Sequence, residues 1–375
     1  MKFLVVGGVA GGASTATRLR RLDESAEIIM FEKGPHVSFS NCCLPYRLSE
    51  TVPETDALVM MSPAQFKNQY NIEARVEHEV LSINRDEKTV RVKNLTTGEE
   101  YTESYDKLIL SPGANAFVPQ LPGIENANIF IVKNVVDIAK LYDFVHSGNV
   151  KKVTVVGGDF IGVETAVEAG YAVTLVEAMP QILRIFDYDM VQILHKEMME
   201  KGVNLILNDQ VVSCEGSNLK LASGAVVEGD AVVMAIGVRA DSKLAKEAGL
   251  ELNERGAIKV DANYCTSDRD IYAVGDAIEV YNALTHRPMS LTMAGPAQKQ
   301  ARAAADHIYG RTVRNTGYIG SSCIRVFDYN AAATGLTAAQ CEAAGISYDI
   351  AYVIPQDKVG LMPNNYPLFY KLVYE

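Results

Sequence analysis

The stretch KFLVVGGVAGGASTATRLRRL, residues 2–22, decides the fold. Residues 2–6 form an apolar run that suits a buried parallel strand, GGVAGG makes a tight turn, and residues 13–22 have the pattern of a packed helix. AEIIMFEK, residues 26–33, is typical of a second strand and completes a βαβ unit. The sequence therefore predicts an α/β fold that starts with a Rossmann-like dinucleotide-binding domain.

The same pattern returns in KKVTVVGGDFIGVETAVEAGYAVTLVEA, residues 151–178, and predicts a second Rossmann-like domain. Between the two, residues 74–110 alternate apolar and polar side chains with turn signals at Arg85-Asp86 and Thr97-Gly98, as antiparallel strands do. DAVVMAIGVRAD, residues 230–241, is interpreted as one buried strand with a glycine exit. From about residue 320 the pattern is mixed α+β.

Composition restricts the class of partner. The chain has 375 residues, 48% of them hydrophobic, and its 35 basic and 46 acidic residues give a net charge of −11. An acidic surface argues against nucleic acid or an anionic membrane and favours small-molecule partners. Six cysteines with neither a C-x-x-C pair nor a histidine cluster predict no metal site and indicate a thiol protein of a reducing cytoplasm.

The first turn has the spacing of a nucleotide fingerprint, although Val9 replaces its second glycine. Glycines there allow a diphosphate to approach the start of the helix, and Glu32 ends the second strand, where a carboxylate accepts hydrogen bonds from ribose hydroxyls. DIYAVGDA, residues 270–277, is interpreted as a buried strand followed by a helix. Its acid, Asp276, suits a polyol such as the ribityl chain of FAD.

The order of these elements resembles the pyridine nucleotide-disulfide oxidoreductases over essentially the whole chain. SFSNCCLPY, residues 38–46, matches the pattern S-F-x-N-C-x-L-P-Y of the single-cysteine branch, the coenzyme A-disulfide reductases and NADH-dependent persulfide reductases. NADH oxidases and peroxidases of the superfamily usually carry Ser-Cys-Gly there. The C-x-x-x-x-C spacing of the two-cysteine members is missing.

The resemblance implies the domains and the FAD contacts. Residues 1–115 and 241–319 are expected to form an FAD-binding domain, residues 116–240 an NAD-binding domain, and residues 320–375 part of a dimerisation domain of a homodimer. Tyr366 and Tyr370 lie in the region from which relatives supply partner tyrosines. The expected FAD contacts are Gly7, Gly8, Val9, Ala10, Gly11, Gly12, Glu32, Lys33, Asn41, Gly113, Gly275, Asp276, Pro296 and Ala297.

Cys42 is the residue that the resemblance identifies as the redox nucleophile. The resemblance implies that hydride passes from NADH to FAD and that electrons then reach a mixed disulfide between Cys42 and the substrate thiol. Pro45 is predicted in the first turn of a helix, which would leave free backbone N–H groups near a Cys42 thiolate. Cys43 is interpreted as a small packing residue. A resolving thiol is the alternative, although a disulfide between sequence neighbours strains the peptide between them.

The predicted NADH contacts include one unfavourable charge. Asp159 stands at the second glycine position of the fingerprint and would oppose a diphosphate by about 1 to 4 kcal/mol. The helix after this turn is also predicted to be short, and together these features predict weak NADH binding. Glu177 favours NADH over NADPH. The predicted contacts are Gly157, Gly158, Asp159, Phe160, Ile161, Gly162, Glu177 and Gly237.

Substrate contacts are implied by the resemblance at Ser14, Arg18, Arg21, Ser38 and Asn41. Arg18 and Arg21 lie three residues apart on one helix face, so both are expected to reach phosphates of coenzyme A. The residues leave open whether the substrate is coenzyme A disulfide, coenzyme A persulfide or polysulfide. They also leave open an NADH oxidase, or a flavoprotein thiol sensor with impaired NADH binding.

Overall fold

The computed structural model describes residues 1–312 and 315–375. They fold into two compact units, each assembled from three pieces of the chain. The predicted division at residues 115, 240 and 319 stays a prediction. The first unit comprises Met1–Phe117, Ile131–Phe144 and Gly237–Tyr318, and the second comprises Val118–Phe130, Val145–Ile236 and Ile319–Glu375.

The α-helices of the described residues, in chain order, are α1 (Ala10–Leu22), α2 (Pro63–Tyr70), α3 (Val135–Val145), α4 (Phe160–Glu168), α5 (Tyr188–Glu200), α6 (Lys243–Glu247), α7 (Ala294–Ile308) and α8 (Ala338–Ala344). Short 3₁₀ turns cover Asn41–Cys43, Pro45–Arg47, Thr55–Leu58 and Ile124–Asn126.

The strands of the described residues, in chain order, are β1 (Lys2–Val6), β2 (Glu27–Glu32), β3 (Glu73–Val76), β4 (His78–Asn84), β5 (Thr89–Asn94), β6 (Glu100–Ser104), β7 (Lys107–Leu110), β8 (Ala114–Ala116), β9 (Ile129–Phe130), β10 (Lys152–Val156), β11 (Ala172–Val176), β12 (Asn204–Ile206), β13 (Val211–Glu215), β14 (Asn218–Leu221), β15 (Val226–Val227), β16 (Ala231–Met234), β17 (Val238–Ala240), β18 (Ile271–Ala273), β19 (Val280–Tyr281), β20 (Pro288–Met289), β21 (Ser321–Val326), β22 (Tyr329–Thr334), β23 (Asp349–Val353) and β24 (Tyr370–Tyr374).

A five-stranded parallel sheet forms the centre of the first unit, in the order β18-β7-β1-β2-β3. The middle of β1 is completely buried at Phe3, Leu4 and Val5, as the apolar run predicts for a strand covered on both faces. Helices α1 and α7 pack against each other in this unit. Because the strands are parallel, their carboxyl ends meet at one edge of the sheet, and a ligand is expected at that edge.

The second unit repeats this design. Its parallel sheet has the order β12-β11-β10-β16-β9, with β10 between β11 and β16. The prediction of two Rossmann-like α/β domains is therefore confirmed. Within the described ranges, no helix combines the length and the apolar character that a membrane span needs.

Two predicted elements are wrong in detail. Residues 230–241 form two strands in different sheets: β16 belongs to the parallel sheet, whereas β17 pairs antiparallel with β8. Gly237, with a φ of 111°, lies between them and lets the chain change direction. After β18 the chain turns at Asp276 and continues to β19, so the helix predicted there does not form. The apolar pattern of residues 230–241 indicated burial correctly for β16 but not for β17, where Val238 is exposed, and neither stretch's pattern indicated its hydrogen-bonded register.

Asp187 fastens the carboxy-terminal part of the second unit. Its carboxylate lies 3.0 Å from the Lys371 Nζ on β24, and it accepts a hydrogen bond from the Ala338 N–H at the start of α8 (3.1 Å). The two side chains of this ion pair are only 9% and 10% exposed. Asp187 also precedes α5 as its N-cap residue, so one carboxylate joins α5, α8 and β24.

We expect Asp187→Ala to destabilise the second unit by about 2 to 3 kcal/mol, because it leaves the Lys371 ammonium buried with only the more exposed Asp189 beside it. The matched control is Asp328→Ala, whose exposed pair with Lys201 is expected to contribute less than about 1 kcal/mol. Urea unfolding of both variants measures the difference. Equal losses in the two variants would contradict the assignment of Asp187 as the fastening residue.

Candidate functional site

The first glycine turn is shaped by close backbone contacts. Gly7 has a φ of 95°, and a Cβ atom at this residue would lie 2.0 Å from the Ser111 carbonyl oxygen. A Cβ atom at Gly12 would lie 1.8 Å from the Gly7 carbonyl oxygen, so neither position accepts a side chain. Gly8 and Gly11 are nearly as restricted, by Val37 and Ser111. Together they bring the first turn of α1, which contains Ala10 and follows Val9, against the end of β1.

Glu32 is fixed beside this turn. Its Oε2 accepts a hydrogen bond from the Gly8 N–H and its Oε1 from the Gly34 N–H, both at 2.9 Å. These bonds orient the carboxylate at the end of β2, where ribose hydroxyls are recognised in dinucleotide-binding folds. The next residue, Lys33, is exposed and lies 3.4 Å from Asp241, whose N–H donates to the Gly113 carbonyl oxygen (3.0 Å).

Asp276 follows β18 at the same edge of the sheet. Burial raises the pKa of its carboxyl group, and Lys133, whose Nζ lies 3.7 Å away, acts in the opposite direction. The preceding residue, Gly275, donates from its N–H to Oε1 of the completely buried Gln300 on α7 (2.7 Å). Pro296 and the buried Ala297 lie in the first turn of α7. Sequence reasoning missed Lys133 and Gln300 because no local motif marks either residue.

These features fit a flavin dinucleotide. The turn from Gly7 to Gly12 is a cradle that side chains would fill, the Glu32 carboxylate is positioned for a ribose, and the partly charge-paired Asp276 suits a polyol. All three belong to the first unit.

Residues 38–50, here called the cysteine segment, contain Cys42 and Cys43. The segment is bonded to the same glycine turn, since the Ser38 N–H donates to the Gly8 carbonyl oxygen (2.8 Å). Cys42 is exposed in the turn Asn41–Cys43, and Cys43 is half-buried. Among the described atoms, the buried Asn41 Oδ1 has no hydrogen-bond partner.

Pro45 starts a helical turn, as predicted, but not an α-helix. Pro45 begins a second 3₁₀ turn of only three residues. The N–H groups of Cys43 and Leu44 are used, since they donate to the carbonyl oxygens of Ser40 (3.2 Å) and Asn41 (3.3 Å). The sequence predicted free backbone N–H groups near a Cys42 thiolate. These two amides are already bonded, so they are not free to stabilise an anion there.

The predicted substrate residues of helix α1 differ in exposure and in whether they are already paired with a carboxylate. The Arg18 guanidinium donates to the Asp306 carboxylate on α7. Its Nε lies 2.9 Å and its Nη2 2.6 Å from the Asp306 Oδ1. Arg21 is exposed, with its guanidinium 6.0 Å from the centre of the Tyr70 ring. Ser14 is half-buried one turn before Arg18. A phosphate can approach Arg21 directly, whereas at Arg18 it competes with a carboxylate.

The second glycine turn reproduces the first. A Cβ atom at Gly157 (φ 108°) would lie 2.4 Å from the Ala235 carbonyl oxygen, and one at Gly162 would lie 2.0 Å from that of Gly157. Glu177 accepts hydrogen bonds from the N–H groups of Gly158 (2.6 Å) and Met179 (2.8 Å), as Glu32 does in the first unit. The second unit therefore also has the backbone and the carboxylate of a dinucleotide site.

The start of α4 differs from that of α1. Asp159 is the exposed N-cap residue, followed by the half-buried Phe160 and Ile161. The prediction of a short helix is confirmed, because α4 has 9 residues and α1 has 13. Gly237, the remaining predicted NADH contact, belongs to the first unit, where its carbonyl oxygen accepts from the Phe117 N–H (3.0 Å).

Glu164 on α4 has a perturbed ionisation. Burial, with a smaller contribution from the Glu168 carboxylate one turn later, raises the pKa of Glu164 from 4.5 to about 7. In the described part of the chain, no three His, Cys, Asp or Glu side chains come together in a way that could hold a metal ion.

Comparison with known proteins agrees with this geometry. Residues 1–301 match the family described as pyridine nucleotide-disulphide oxidoreductase. The chain is 32% identical over 378 residues to a coenzyme A disulfide reductase of Staphylococcus aureus, covering all of this chain and 85% of that protein.

Two solved structures are similar to this chain over its whole length. The reduced CoADR-RHD of Bacillus anthracis superimposes with a TM-score of 0.98 at 42% identity, over all of this chain and 68% of that one. An NAD-dependent persulfide reductase from A. fulgidus superimposes with a TM-score of 0.95 at 31% identity, over all of this chain and 71% of that one.

We expect Glu164→Gln to stabilise the protein at pH 8 but not at pH 4. With its pKa raised on folding, Glu164 binds its proton more tightly in the folded state, so stability is lost as the pH rises from about 4.5 to about 7. The glutamine removes this loss, a gain of about 1 to 3 kcal/mol after allowance for partial exposure. Thermal unfolding at both pH values measures it, with the exposed Glu200→Gln on α5 as control. A gain of equal size at both pH values would exclude ionisation as the cause.

Proposed function

The chain belongs to the pyridine nucleotide-disulphide oxidoreductase family, and we propose that it is an FAD-dependent, NADH-linked reductase of small disulfides or persulfides with Cys42 as nucleophile. The first unit binds FAD and the second binds NADH. The observation that carries the proposal is the hydrogen bond from the Ser38 N–H to the Gly8 carbonyl oxygen (2.8 Å). It ties the cysteine segment to the turn that receives the flavin dinucleotide.

Cys42 performs the exchange chemistry. Its thiolate attacks one sulfur of the substrate disulfide, so a bond forms between the two sulfurs while the substrate S–S bond breaks and releases one thiolate. FAD, when bound, would supply an electron pair derived from NADH, and the mixed disulfide on Cys42 would be reduced by that pair. Cys42 then returns as a thiolate and the second substrate thiol leaves, so that NADH and one proton are consumed for two thiols.

Coenzyme A disulfide or persulfide is the proposed substrate class. The names of the relatives support this class, and the exposed Arg21 supports recognition of a phosphorylated tail. Ser14, Ser38 and Asn41 complete the proposed contact set around the cysteine segment and α1. Arg18 joins it only if a phosphate displaces the Asp306 carboxylate.

NADH is the proposed electron donor. The Glu177 carboxylate, held by the N–H groups of Gly158 and Met179, favours free ribose hydroxyls and opposes a 2′-phosphate. Asp159 weakens binding because its carboxylate stands at the start of α4, where the diphosphate is expected.

We further propose a homodimer. One face of the ribbon formed by β23 and β24 exposes Val353, Tyr370, Leu372 and Tyr374. A second copy of the chain is the occupant that the family resemblance favours for this apolar face.

The nucleophile is tested by Cys42→Ser, with Cys43→Ala as the matched control. We expect Cys42→Ser to lower NADH-dependent thiol release from coenzyme A disulfide by at least about 100-fold, because the attacking sulfur is lost. Cys43→Ala is expected to stay within about twofold, because Cys43 is interpreted as a packing residue. Anaerobic assays of thiol release measure both, and a parallel aerobic assay follows NADH consumption. Full activity of Cys42→Ser would refute the proposal, and oxygen-dependent NADH consumption without disulfide reduction would favour an NADH oxidase.

Asp159→Asn and Asp159→Gly test the charge at the NADH site. Both substitutions remove the carboxylate, so we expect the Kd for NADH to fall by about 5- to 10-fold, or about 1 to 1.4 kcal/mol, at the lower end of the range because Asp159 is exposed. Because Asn keeps the size of the side chain, similar gains in the two variants identify charge as the cause. Binding is measured by NADH fluorescence titration. Unchanged affinity in both variants would sink the electrostatic argument.

A further inference from the structure

A cluster that the exchange chemistry does not use lies at the end of the cysteine segment. It consists of Arg47 and Glu50, which follow Cys42 in the chain, and Tyr142, which comes from α3 more than ninety residues later. We call these three residues the Arg47 cluster. All three belong to the first unit.

Arg47 carries a charge in a buried place. The residue is 7% exposed, and within the described structure its buried Nη1 has no hydrogen-bond partner. Its guanidinium carbon lies 3.4 Å from the centre of the Tyr142 ring, and its Nε lies 3.3 Å from the Thr55 hydroxyl oxygen. A buried cation is costly unless it is compensated, and the face of the Tyr142 ring and the Thr55 hydroxyl both contribute here.

Tyr142 also holds the end of the segment. Its hydroxyl donates to Oε1 of Glu50 at 2.6 Å. Glu50 has a φ of 58°, and Ser38, at the other end of the segment, has a φ of 49°. Such left-handed conformations are unfavourable for residues other than glycine and persist only where the surroundings enforce them. At Ser38 the bond to Gly8 contributes to this, and at Glu50 the bond from Tyr142 does so.

The backbone transmits the position of Arg47 to Cys42. Leu44, between the two 3₁₀ turns, is itself helical, with φ −55° and ψ −49°. The N–H of Arg47 donates to the Leu44 carbonyl oxygen (3.1 Å), and the N–H of Leu44 donates to that of Asn41 (3.3 Å). A shift of Arg47 therefore passes through two hydrogen bonds to the turn that carries Cys42.

We propose that Arg47 and Tyr142 are positioning residues that fix the sulfur of Cys42 for disulfide exchange. The Tyr142 ring holds the Arg47 guanidinium in place, and the hydrogen bond from the Tyr142 hydroxyl to Glu50 fixes the last residue of the cysteine segment. This inference rests on the proposed function in one respect, namely that Cys42 is the nucleophile.

The test uses the purified, flavin-loaded full chain and the substitution Tyr142→Leu, which removes both the stack and the hydroxyl. We expect the alkylation rate of Cys42 by iodoacetamide, followed by peptide mass spectrometry, to change by at least about fivefold. Stopped-flow oxidation of the reduced enzyme by coenzyme A disulfide is expected to slow by at least about tenfold. Flavin reduction by NADH is expected to stay within about twofold.

Three further variants separate positioning from general destabilisation. Tyr142→Phe keeps the stack and is expected to lie between the parent and Tyr142→Leu. Arg47→Lys keeps the charge but loses the planar stack, so it is expected to shift the alkylation rate of Cys42 in the same direction even if Tyr142→Leu does not fold. The matched control is Tyr309→Phe, which removes another hydroxyl bond to a carboxylate of this unit, from Tyr309 to Asp23 (2.9 Å). It is expected to match the parent.

The outcomes separate the two proposals. Unchanged Cys42 alkylation in Tyr142→Leu and Arg47→Lys would overturn the positioning role while Cys42→Ser still decides the nucleophile. Equal slowing of both half-reactions would also overturn it, because a merely structural defect acts on both. If Cys42→Ser proved fully active, the proposed function would fail, and the alkylation rates would still decide whether the Arg47 cluster positions the sulfur.

Discussion

The contact between the carbonyl oxygen of Gly7 and the α-carbon of Gly12 is the constraint on which the first unit depends. Because no side chain intervenes, α1 starts directly against the end of β1, and a Cβ atom at Gly12 would lie 1.8 Å from that oxygen. This closeness puts the Gly8 N–H within reach of Glu32 and the Gly8 carbonyl oxygen within reach of Ser38. Gly8 therefore positions both the Glu32 carboxylate and the start of the cysteine segment at Ser38. The second unit repeats the contact at Gly157 and Gly162.

Features fixed by neighbouring residues were predictable from sequence. The two βαβ units, Glu32, Glu177 and the short α4 follow from glycine spacing and apolar runs, which act over a few residues. Features that depend on distant parts of the chain were not. Lys133 meets Asp276, and Tyr142 meets Arg47, only because residues 131–144 return to the first unit from within the predicted NAD-binding stretch. The amides near Cys42 were misjudged because pattern alone did not indicate two consecutive 3₁₀ turns.

The two nucleotide turns share a backbone but differ in electrostatics. Neither helix has an acidic residue in its first turn, but the N-cap residue is Val9 in the first and Asp159 in the second, and α4 also carries Glu164 and Glu168. Burial of Glu164 raises its pKa to about 7, so the charge of α4 changes in the neutral range. These charges are the basis on which we propose that the second turn binds its dinucleotide more weakly than the first.

The order of β18 and β7 in the first sheet has a consequence for folding. Ile271 of β18 pairs with Leu108 of β7, although more than 160 residues separate them. During synthesis the amino-terminal strands emerge early, but their sheet lacks an edge strand until the polypeptide has passed residue 273. Closing so long a loop is entropically unfavourable, and non-local pairing of this kind folds slowly. The strands of the second unit's parallel sheet all lie between residues 129 and 234, so that sheet is complete before the sheet of the first unit, although the second unit as a whole also needs residues 319–375.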